Sequence, residues 1–140
     1  MHQMEQFNGR FVSHRSENFD EYLKKCGLGT LIRKAEAKAI ITLEIRNENS
    51  KWICDQQTTF KNPTMEFEID KEFEETTTDG RKFVSSAVMT DEGILIQRQL
   101  NVEDSHKNTT ISRYMEDDDT LVIIYECSGV LAKKTYRRIK

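Results

Sequence analysis

Two residues near the C-terminus, Lys134 and Tyr136, combine a cationic amine with a phenolic hydroxyl two positions apart. Residues 129–138 have the pattern of a β-strand, and side chains two apart share one strand face. If that face points inward, the amine and the hydroxyl can hold an anion together. The alternative is a polar edge strand, whose charges face solvent and discourage pairing between sheets.

Composition favours one soluble domain without a metal or nucleic-acid site. The chain has 140 residues, of which 36% are hydrophobic and 32% charged, and its net charge is −3. A chain of this length builds one core without staples, and an acidic balance provides no basic field for nucleic acid. Cys26, Cys54 and Cys127 are odd in number and lack zinc-ligand spacing, so neither a disulfide framework nor a metal is expected.

The N-terminus predicts an intracellular protein. No basic segment precedes an apolar run, so we expect no signal peptide. No stretch approaches the roughly 20 apolar residues of a membrane span. Because an odd number of cysteines without Cys-x-x-Cys spacing makes a disulfide framework unlikely, the expected location is the reducing cytoplasm.

The first forty residues read as a strand followed by two helices. Residues 7–13 form the strand, in which Gly9 indicates a bulge or a close backbone approach. Residues 16–26 form an amphipathic helix that Gly27 ends, and residues 30–38 form a second, so the two make a tight hairpin. The apolar residues at helical spacing in the first helix are Phe19, Tyr22, Leu23 and Cys26.

Strands follow one another through the rest of the chain, separated by short turns. They are predicted at residues 39–46, 51–59, 65–69, 72–76, 82–89, 94–101, 109–115, 120–127 and 129–138. Asp79-Gly80 is a hairpin-turn signal between two of them. With the first strand this makes about ten, the pattern of an antiparallel barrel with one inserted helical hairpin.

The strand faces predict a barrel interior that is not a dry core. The inward candidates are polar Thr58, Thr77, Gln97, Gln99, Arg113 and Tyr136, interleaved with apolar Phe60, Leu95, Ile111, Leu121 and Ile123. Buried polar groups without partners each cost about 1–3 kcal/mol. A barrel of about ten strands therefore suits an interior that holds water and one small ligand. Arg98, on the opposite face from Gln97, is expected to point outward.

Motifs along essentially the whole chain carry a family resemblance. They are Phe-x-Gly-x-Phe at 7–11, the helix at 16–24, Gly-x-Gly at 27–29, Arg33-Lys34, and the strand segments 58–62, 72–75, 78–82, 93–96 and 109–113. Together they resemble the intracellular lipid-binding proteins, the fatty-acid-binding and cellular retinoid-binding group. The resemblance implies an all-β fold: a ten-stranded antiparallel up-and-down β-barrel, lipocalin-like (calycin), with a helix-turn-helix lid after the first strand. Residues 1–140 would form this single lipid-binding domain.

The resemblance also implies a head-group site of Arg113, Lys134 and Tyr136. The family's usual second arginine is replaced by Lys134, and its usual tryptophan near the start by Phe11. Arginine offers a rigid fork of donors to a carboxylate, whereas a buried lysine loses its charge readily. We therefore expect an acid clamp that also admits fatty amides or esters. The alternative for Arg113 is an outward side chain paired with the acidic turn at 116–119.

A portal is implied by the same resemblance. The expected cavity and portal residues are Phe19, Tyr22, Leu23, Leu28, Thr58, Phe60, Thr78, Asp79, Gln97, Gln99, Leu121 and Ile123. For the aromatic residues among them, ordinary packing of helix on barrel is the alternative. On the lid, Lys24, Arg33 and Lys34 are candidates for docking on anionic membranes or for a fold-dependent nuclear-import signal, with a solvated face as the alternative.

The function expected from these features is that of a non-catalytic, monomeric carrier of a long-chain fatty acid, a lipid chaperone without cofactor or metal. It would move its ligand between membranes and to the nucleus. The alternatives are a delivery adaptor for a nuclear receptor, and retinoid binding. An enzyme is not expected, because no serine or cysteine nucleophile has an evident base beside it and His2, His14 and His106 are scattered.

Overall fold

A computed structural model describes residues 2–59 and 61–140, so the predicted portal residue Phe60 lies outside the described residues. One helix precedes the first strand and two follow it, and a 3-10 turn lies between the seventh and eighth strands. In chain order the elements are α1 (His2–Glu5), β1 (Gly9–Glu17), α2 (Phe19–Lys25), α3 (Thr30–Lys38), β2 (Thr42–Glu48), β3 (Lys51–Gln57), β4 (Thr64–Glu68), β5 (Phe73–Thr76), β6 (Lys82–Met89), β7 (Leu95–Asn101), the 3-10 turn (Ser105–Lys107), β8 (Thr109–Asp117), β9 (Thr120–Cys127) and β10 (Val130–Ile139).

The ten strands form one antiparallel sheet that curls into a nearly closed barrel. Their order is β4-β3-β2-β1-β10-β9-β8-β7-β6-β5. The last strand therefore lies in the middle of the sheet, paired with β1 and β9. The polar edge-strand interpretation of residues 129–138 is wrong.

The sheet opens between β4 and β5, which pair with β3 and β6 respectively but not with each other in the described chain. Side chains bridge this opening instead of backbone hydrogen bonds. The rings of Phe67 and Phe73 stack with their centroids 5.0 Å apart. The barrel wall is thus weakest where no ladder holds it.

The first helix of the hairpin begins later than its periodicity predicts. We predicted a helix from residue 16, but β1 continues to Glu17 and α2 begins at Phe19. Pairing with β10 decides this boundary, because Ser16 lies opposite Lys134 and Glu17 opposite Lys133. A ladder with the distant end of the chain thus overrides the local helical signal.

Gly9 is the site of a close approach, as predicted, although a side chain makes it. Its φ is +136°, and a Cβ there would lie 2.5 Å from Nη1 of Arg138. The bulge in β1 falls elsewhere, between Ser13 and Arg15. Arg138 uses this space to donate to the carbonyls of Gln6 and Asn8, closing this end of the barrel.

The buried apolar residues form two packed clusters. The larger one runs through the barrel interior, and we call its six members nearest α1 the closed-end core: Met4, Phe7, Phe11, Ile45, Trp52 and Phe67. The lid core lies beneath α2 and consists of Tyr22, Leu23, Cys26, Leu28, Cys127 and Ala132. Of the helices in the described ranges, none is both long and apolar enough to cross a membrane.

Candidate ligand-binding site

Arg113 lies inside the barrel. Alternation along β8 buries Ile111 and Arg113 on the same face, and Arg113 is only 6% exposed. Its Cζ lies 5.6 Å from the centroid of the Trp52 ring, and its Nη2 donates to Sδ of Met65 at 3.9 Å. The alternative of an outward Arg113 paired with the acidic turn is wrong.

The guanidinium of Arg113 lacks a full set of partners. Its Nη1 is buried and has no hydrogen-bond partner among the described residues. Burial lowers the pKa of Arg113, and the neighbouring Tyr125, Cys54 and Glu75 only partly oppose this effect. A buried cation without a paired carboxylate is costly, so this group favours an anion that enters from outside.

Lys134 lies at the same level of the barrel as Arg113. The register pairs Arg113 of β8 with Ile123 of β9, and Ile123 with Lys134 of β10. All three are buried, so the two cationic residues flank Ile123 on the inner wall, with their strands about 10 Å apart. We call Arg113, Ile123 and Lys134 the cationic row.

The amine of Lys134 is desolvated beneath the lid. It is 7% exposed, and its Nζ lies 3.8 Å from the centroid of the Phe19 ring on α2. Burial lowers the pKa of Lys134 to about 8, and the charge of Glu36 on α3 only partly opposes this. Part of the population therefore carries a neutral amine near neutral pH, which no arginine at this position would do.

Tyr136 follows two positions later on the same inner face and is 2% exposed. It packs in the interior beside Leu121, its partner on β9. Burial raises the pKa of Tyr136 well above its ordinary value, so the hydroxyl keeps its proton and can donate. Lys134 and Tyr136 share one face of β10, as the strand period predicts, and the structure shows that this face points inward.

A hydrogen-bond network centred on Glu75 joins the polar residues of β5, β6, β7 and β8, beside the cationic row. Oε1 of Glu75 accepts from Oγ of Ser85 at 2.9 Å and from Nε2 of Gln97 and of Gln99, each at 3.0 Å. Thr109 donates to Oε1 of Gln99. We call Glu75, Ser85, Gln97, Gln99 and Thr109 the polar wall. Oε1 of Gln97 is buried and has no hydrogen-bond partner in the described ranges, which leaves one acceptor for water or a ligand.

Two cavities open near the gap in the sheet between β4 and β5. One of about 330 Å³ lies between β4 and β5 and is lined by residues that include Cys54, Met65, Phe73 and Glu75. Because Met65 contacts Arg113 and Glu75 binds the glutamines, this cavity adjoins the polar interior. Another of about 390 Å³ lies at the mouth, lined by residues that include Ile32, Glu36, Thr58, Thr78 and Asp79. Both volumes fall in the range of small-molecule sites.

The predicted portal residues divide into two groups. Thr58, Thr78 and Asp79 lie together at the mouth cavity. Tyr22, Leu23 and Leu28 are buried in the lid core and pack α2 onto the barrel. Phe19 is half-buried between the amine of Lys134 and the ring of Tyr125. Gln97, Gln99, Leu121 and Ile123 line the interior, and Arg98 points outward as predicted.

Asp79 already has a partner. Its two carboxylate oxygens receive Nε and Nη2 of Arg81, each at 2.9 Å. Although burial acts to raise it, the hydrogen bonds from Arg81 and Thr77 hold the pKa of Asp79 below its usual value. This pair fixes the β5–β6 turn beneath the lid, so Asp79 shapes the mouth.

The three basic lid candidates are not equivalent. Lys24 and Lys34 are exposed, whereas Arg33 is half-buried. Arg33 donates from Nε to Oδ1 of Asp20 at 3.0 Å and from Nη1 to the carbonyl of Leu28 at 2.8 Å. It therefore ties α3 to α2.

Sequence reasoning missed Tyr125. Its ring lies 5.2 Å from that of Phe19 and 5.3 Å from that of Tyr22. Burial raises its pKa to about 12, so it too remains a hydroxyl donor. The signal was present, because the inward period of Leu121 and Ile123 continues to residue 125. Glu75 was also missed, since only the folded barrel shows its three donors.

Comparison with known proteins agrees with this architecture. The Lipocalin / cytosolic fatty-acid binding protein family matches residues 8–137. Fatty acid-binding protein homolog 5 of Caenorhabditis elegans is 41% identical over 134 residues, covering 96% of this chain and 97% of that protein. Apo lipid binding protein 8 of Caenorhabditis elegans has a TM-score of 0.90 at 32% identity, covering 97% of each chain. The Schistosoma mansoni fatty acid binding protein in complex with arachidonic acid has a TM-score of 0.90 at 28% identity, covering 99% of each chain. The chain belongs to the lipocalin / cytosolic fatty-acid binding protein family.

Proposed function

We propose that this protein is a non-catalytic cytoplasmic carrier that binds a long-chain fatty acid inside the barrel. The acyl chain would lie along the apolar interior, with its carboxylate directed to Arg113 and Tyr136. The observation that carries the proposal is the buried Nη1 of Arg113, which has no hydrogen-bond partner among the described residues.

The chemistry of that group selects an anion. A buried guanidinium is destabilising until a hydrogen-bonded negative charge accompanies it. A carboxylate can accept from both arms of the fork, and a protonated Tyr136 adds a third donor. Two relatives support the ligand class, since one is named a fatty acid-binding protein homolog and another was solved with arachidonic acid.

Lys134 makes the clamp less selective for acids. Because its pKa is lowered to about 8, its positive charge is easily lost when the cavity fills with an apolar chain. We therefore propose that fatty amides also bind, more weakly than the acids. Retinoic acid presents the same carboxylate and is a further ligand to test.

The lid supports transfer by membrane contact. On α3 and just after it, Leu31 is 83% exposed and Ile40 71% exposed. Exposed Lys24 and Lys34 accompany these apolar side chains, a combination that suits anionic lipid surfaces. The nuclear-import and receptor-adaptor hypotheses have less support, since Arg33 is already bound to Asp20 and Leu28.

The test compares matched ligands on matched variants. Palmitic acid and palmitamide are titrated into the delipidated wild type, Arg113→Met and Arg98→Met by calorimetry. We expect Arg113→Met to weaken binding of the acid by about tenfold to 100-fold, because the variant loses charged hydrogen bonds to the carboxylate. Binding of the amide should weaken much less. Arg98→Met, an exposed arginine on the adjacent strand, should change neither.

An equal loss of affinity for the acid and for the amide in a folded Arg113→Met protein would contradict a charge-based site. Failure of the wild type to bind either ligand would end the proposal.

Mass spectrometry of lipids extracted from the purified protein identifies the natural head group. Transfer to anionic vesicles by a Lys24→Glu/Lys34→Glu double variant tests membrane docking, which predicts slower transfer.

A further inference from the structure

Lys134 differs from every other lysine that the structure describes. It is the one buried lysine in the described ranges, while the rest are exposed or half-buried. It forms no ion pair with any described residue, and its Nζ lies over the face of the Phe19 ring, 3.8 Å from the ring centroid. A desolvated amine beside an aromatic ring, on the inward face of β10, has the setting of a reactive lysine.

We propose that Lys134 captures long-chain aldehydes as a reversible imine inside the barrel. The inference rests on the proposed function only in that the aldehyde's alkyl chain occupies the same cavity as a fatty acid. It assigns a different ligand class, carbonyl compounds, and a covalent role to the residue at this position.

The step needs no oxidant, reductant or co-reactant. The Nζ lone pair adds to the aldehyde carbon as the carbonyl π bond breaks, and the oxygen takes up the proton that nitrogen loses. The resulting carbinolamine loses its hydroxyl and the remaining N–H proton as one molecule of water, while the C=N bond forms. Hydrolysis reverses these steps and releases the aldehyde unchanged.

The charge state of the amine favours this reaction at Lys134. With a pKa of about 8, about a tenth of the amines are neutral at neutral pH, against about one in 3,000 at the ordinary value. Only the neutral amine has a lone pair to donate. Glu36, whose charge acts on this amine and which lines the mouth cavity, is positioned to balance a protonated imine.

The cationic row separates the two ligand classes. Arg113 lies on β8 and Lys134 on β10, with Ile123 between them. An acid places its charge at the fixed cation of Arg113. An aldehyde carries no charge and gains little there, so its reactive carbon can lie at the amine. Both alkyl chains compete for one interior, which makes the fatty acid a competitor of the imine.

The experiment traps the imine by reduction. Delipidated full-length protein is incubated with hexadecanal and sodium cyanoborohydride, and the alkylated lysine is located by peptide mass mapping. The variants are Lys134→Arg, which keeps the cation but removes the nucleophile, and Lys133→Arg, the neighbouring half-buried lysine. Acetaldehyde serves as a probe that needs no cavity, and thermal unfolding checks that each variant folds.

We expect one alkyl group on Lys134. The extent of alkylation there should be roughly tenfold or more above that of any exposed lysine, because a desolvated amine is more often neutral. Lys133→Arg should retain it, Lys134→Arg should lose it, and excess palmitic acid should suppress it. Acetaldehyde should label exposed lysines without this preference.

Label spread over exposed lysines, or no label, would overturn the imine while leaving the proposed function intact if palmitic acid still binds. Label at Lys134 that palmitic acid does not suppress would also overturn it, because the site would then lie outside the lipid cavity. Loss of palmitic acid binding by the wild type is the separate failure of the proposed function. If Lys134→Arg does not fold, Lys134→Met replaces it, with the same loss of label expected.

Discussion

The closed-end core and the cationic row are both buried, yet they differ in composition. The closed end packs Phe7 and Phe11, neither of them measurably exposed, around Trp52, and the Phe7 and Trp52 rings meet edge to face at 5.4 Å. The cationic row buries a guanidinium and an amine on either side of Ile123.

This difference indicates that one region of the barrel stabilises the fold and the other binds the ligand. Aromatic packing at the closed end stabilises the fold through burial and dispersion. Desolvated cations destabilise the empty protein, so their retention suggests a ligand that recovers the lost free energy. In the empty protein, substitutions in the two regions should therefore change the free energy of unfolding in opposite directions.

The largest effect on stability is expected at the closed end. Phe11→Ala should lower the free energy of unfolding by about 3–5 kcal/mol, because it leaves a cavity in a fully packed region. Urea denaturation measures the change. Leu131→Ala on the exposed face of β10 is the control, with an expected change within about 0.5 kcal/mol. A Phe11 effect as small as that of the control would mean that the closed end is loosely packed.

Substitution of Lys134 is expected to raise the free energy of unfolding rather than lower it. Its folded pKa of about 8 lies below the ordinary 10.5, so folding disfavours the charged form. Lys134→Met should therefore stabilise the apo protein by an amount on the order of 3 kcal/mol below pH 8. The unfolded chain binds more protons than the folded protein as pH rises from about 8 to 10.5, so wild-type stability recovers and the difference disappears.

Urea denaturation of the two proteins across this pH range measures that difference, and subtraction removes the titration of the buried thiols and phenols. Lys133→Met is the matched control and should show no such pH-dependent gain. A difference that stays constant from neutral pH to above 10.5 would contradict a desolvated amine.

An intermediate effect is expected at the polar wall. Glu75→Gln removes the charged acceptor of Ser85, Gln97 and Gln99 and should lower the free energy of unfolding by about 1–3 kcal/mol. Glu74→Gln, exposed on the same strand, should be nearly neutral. If the two variants unfold at the same urea concentration, the network does not hold the wall.

The smallest effect is expected on the lid. Arg33→Ala should cost no more than about 1 kcal/mol globally, since its ion pair with Asp20 is partly solvated. Its local effect should be larger, seen as faster amide hydrogen exchange in α2 and α3. Lys34→Ala, without these bonds, is the control. Equal exchange in both variants would show that Arg33 does not join the helices.

Much of the fold was predictable, because its signals are local. A period of two fixed the strands and the inward faces of Gln97, Gln99, Leu121 and Ile123, and Asp79-Gly80 marked a turn. Four features were not predicted: helix α1, the continuation of β1 to Glu17, and the inward roles of Tyr125 and Glu75. The first is too short to show a period, and the second depends on pairing with Lys133 and Lys134 at the far end of the chain.

The sequence by itself determined the number and order of the strands, the helical hairpin and the shared face of Lys134 and Tyr136, because alternation and turn chemistry act over a few residues. Only the tertiary structure decided that this face points inward, that Arg113 and Lys134 flank Ile123, and that Phe19 covers the amine. Those facts depend on contacts between residues far apart in the chain, which local periodicity does not encode. Desolvation then sets the charge of Lys134, since burial in a barrel is a property of the whole fold.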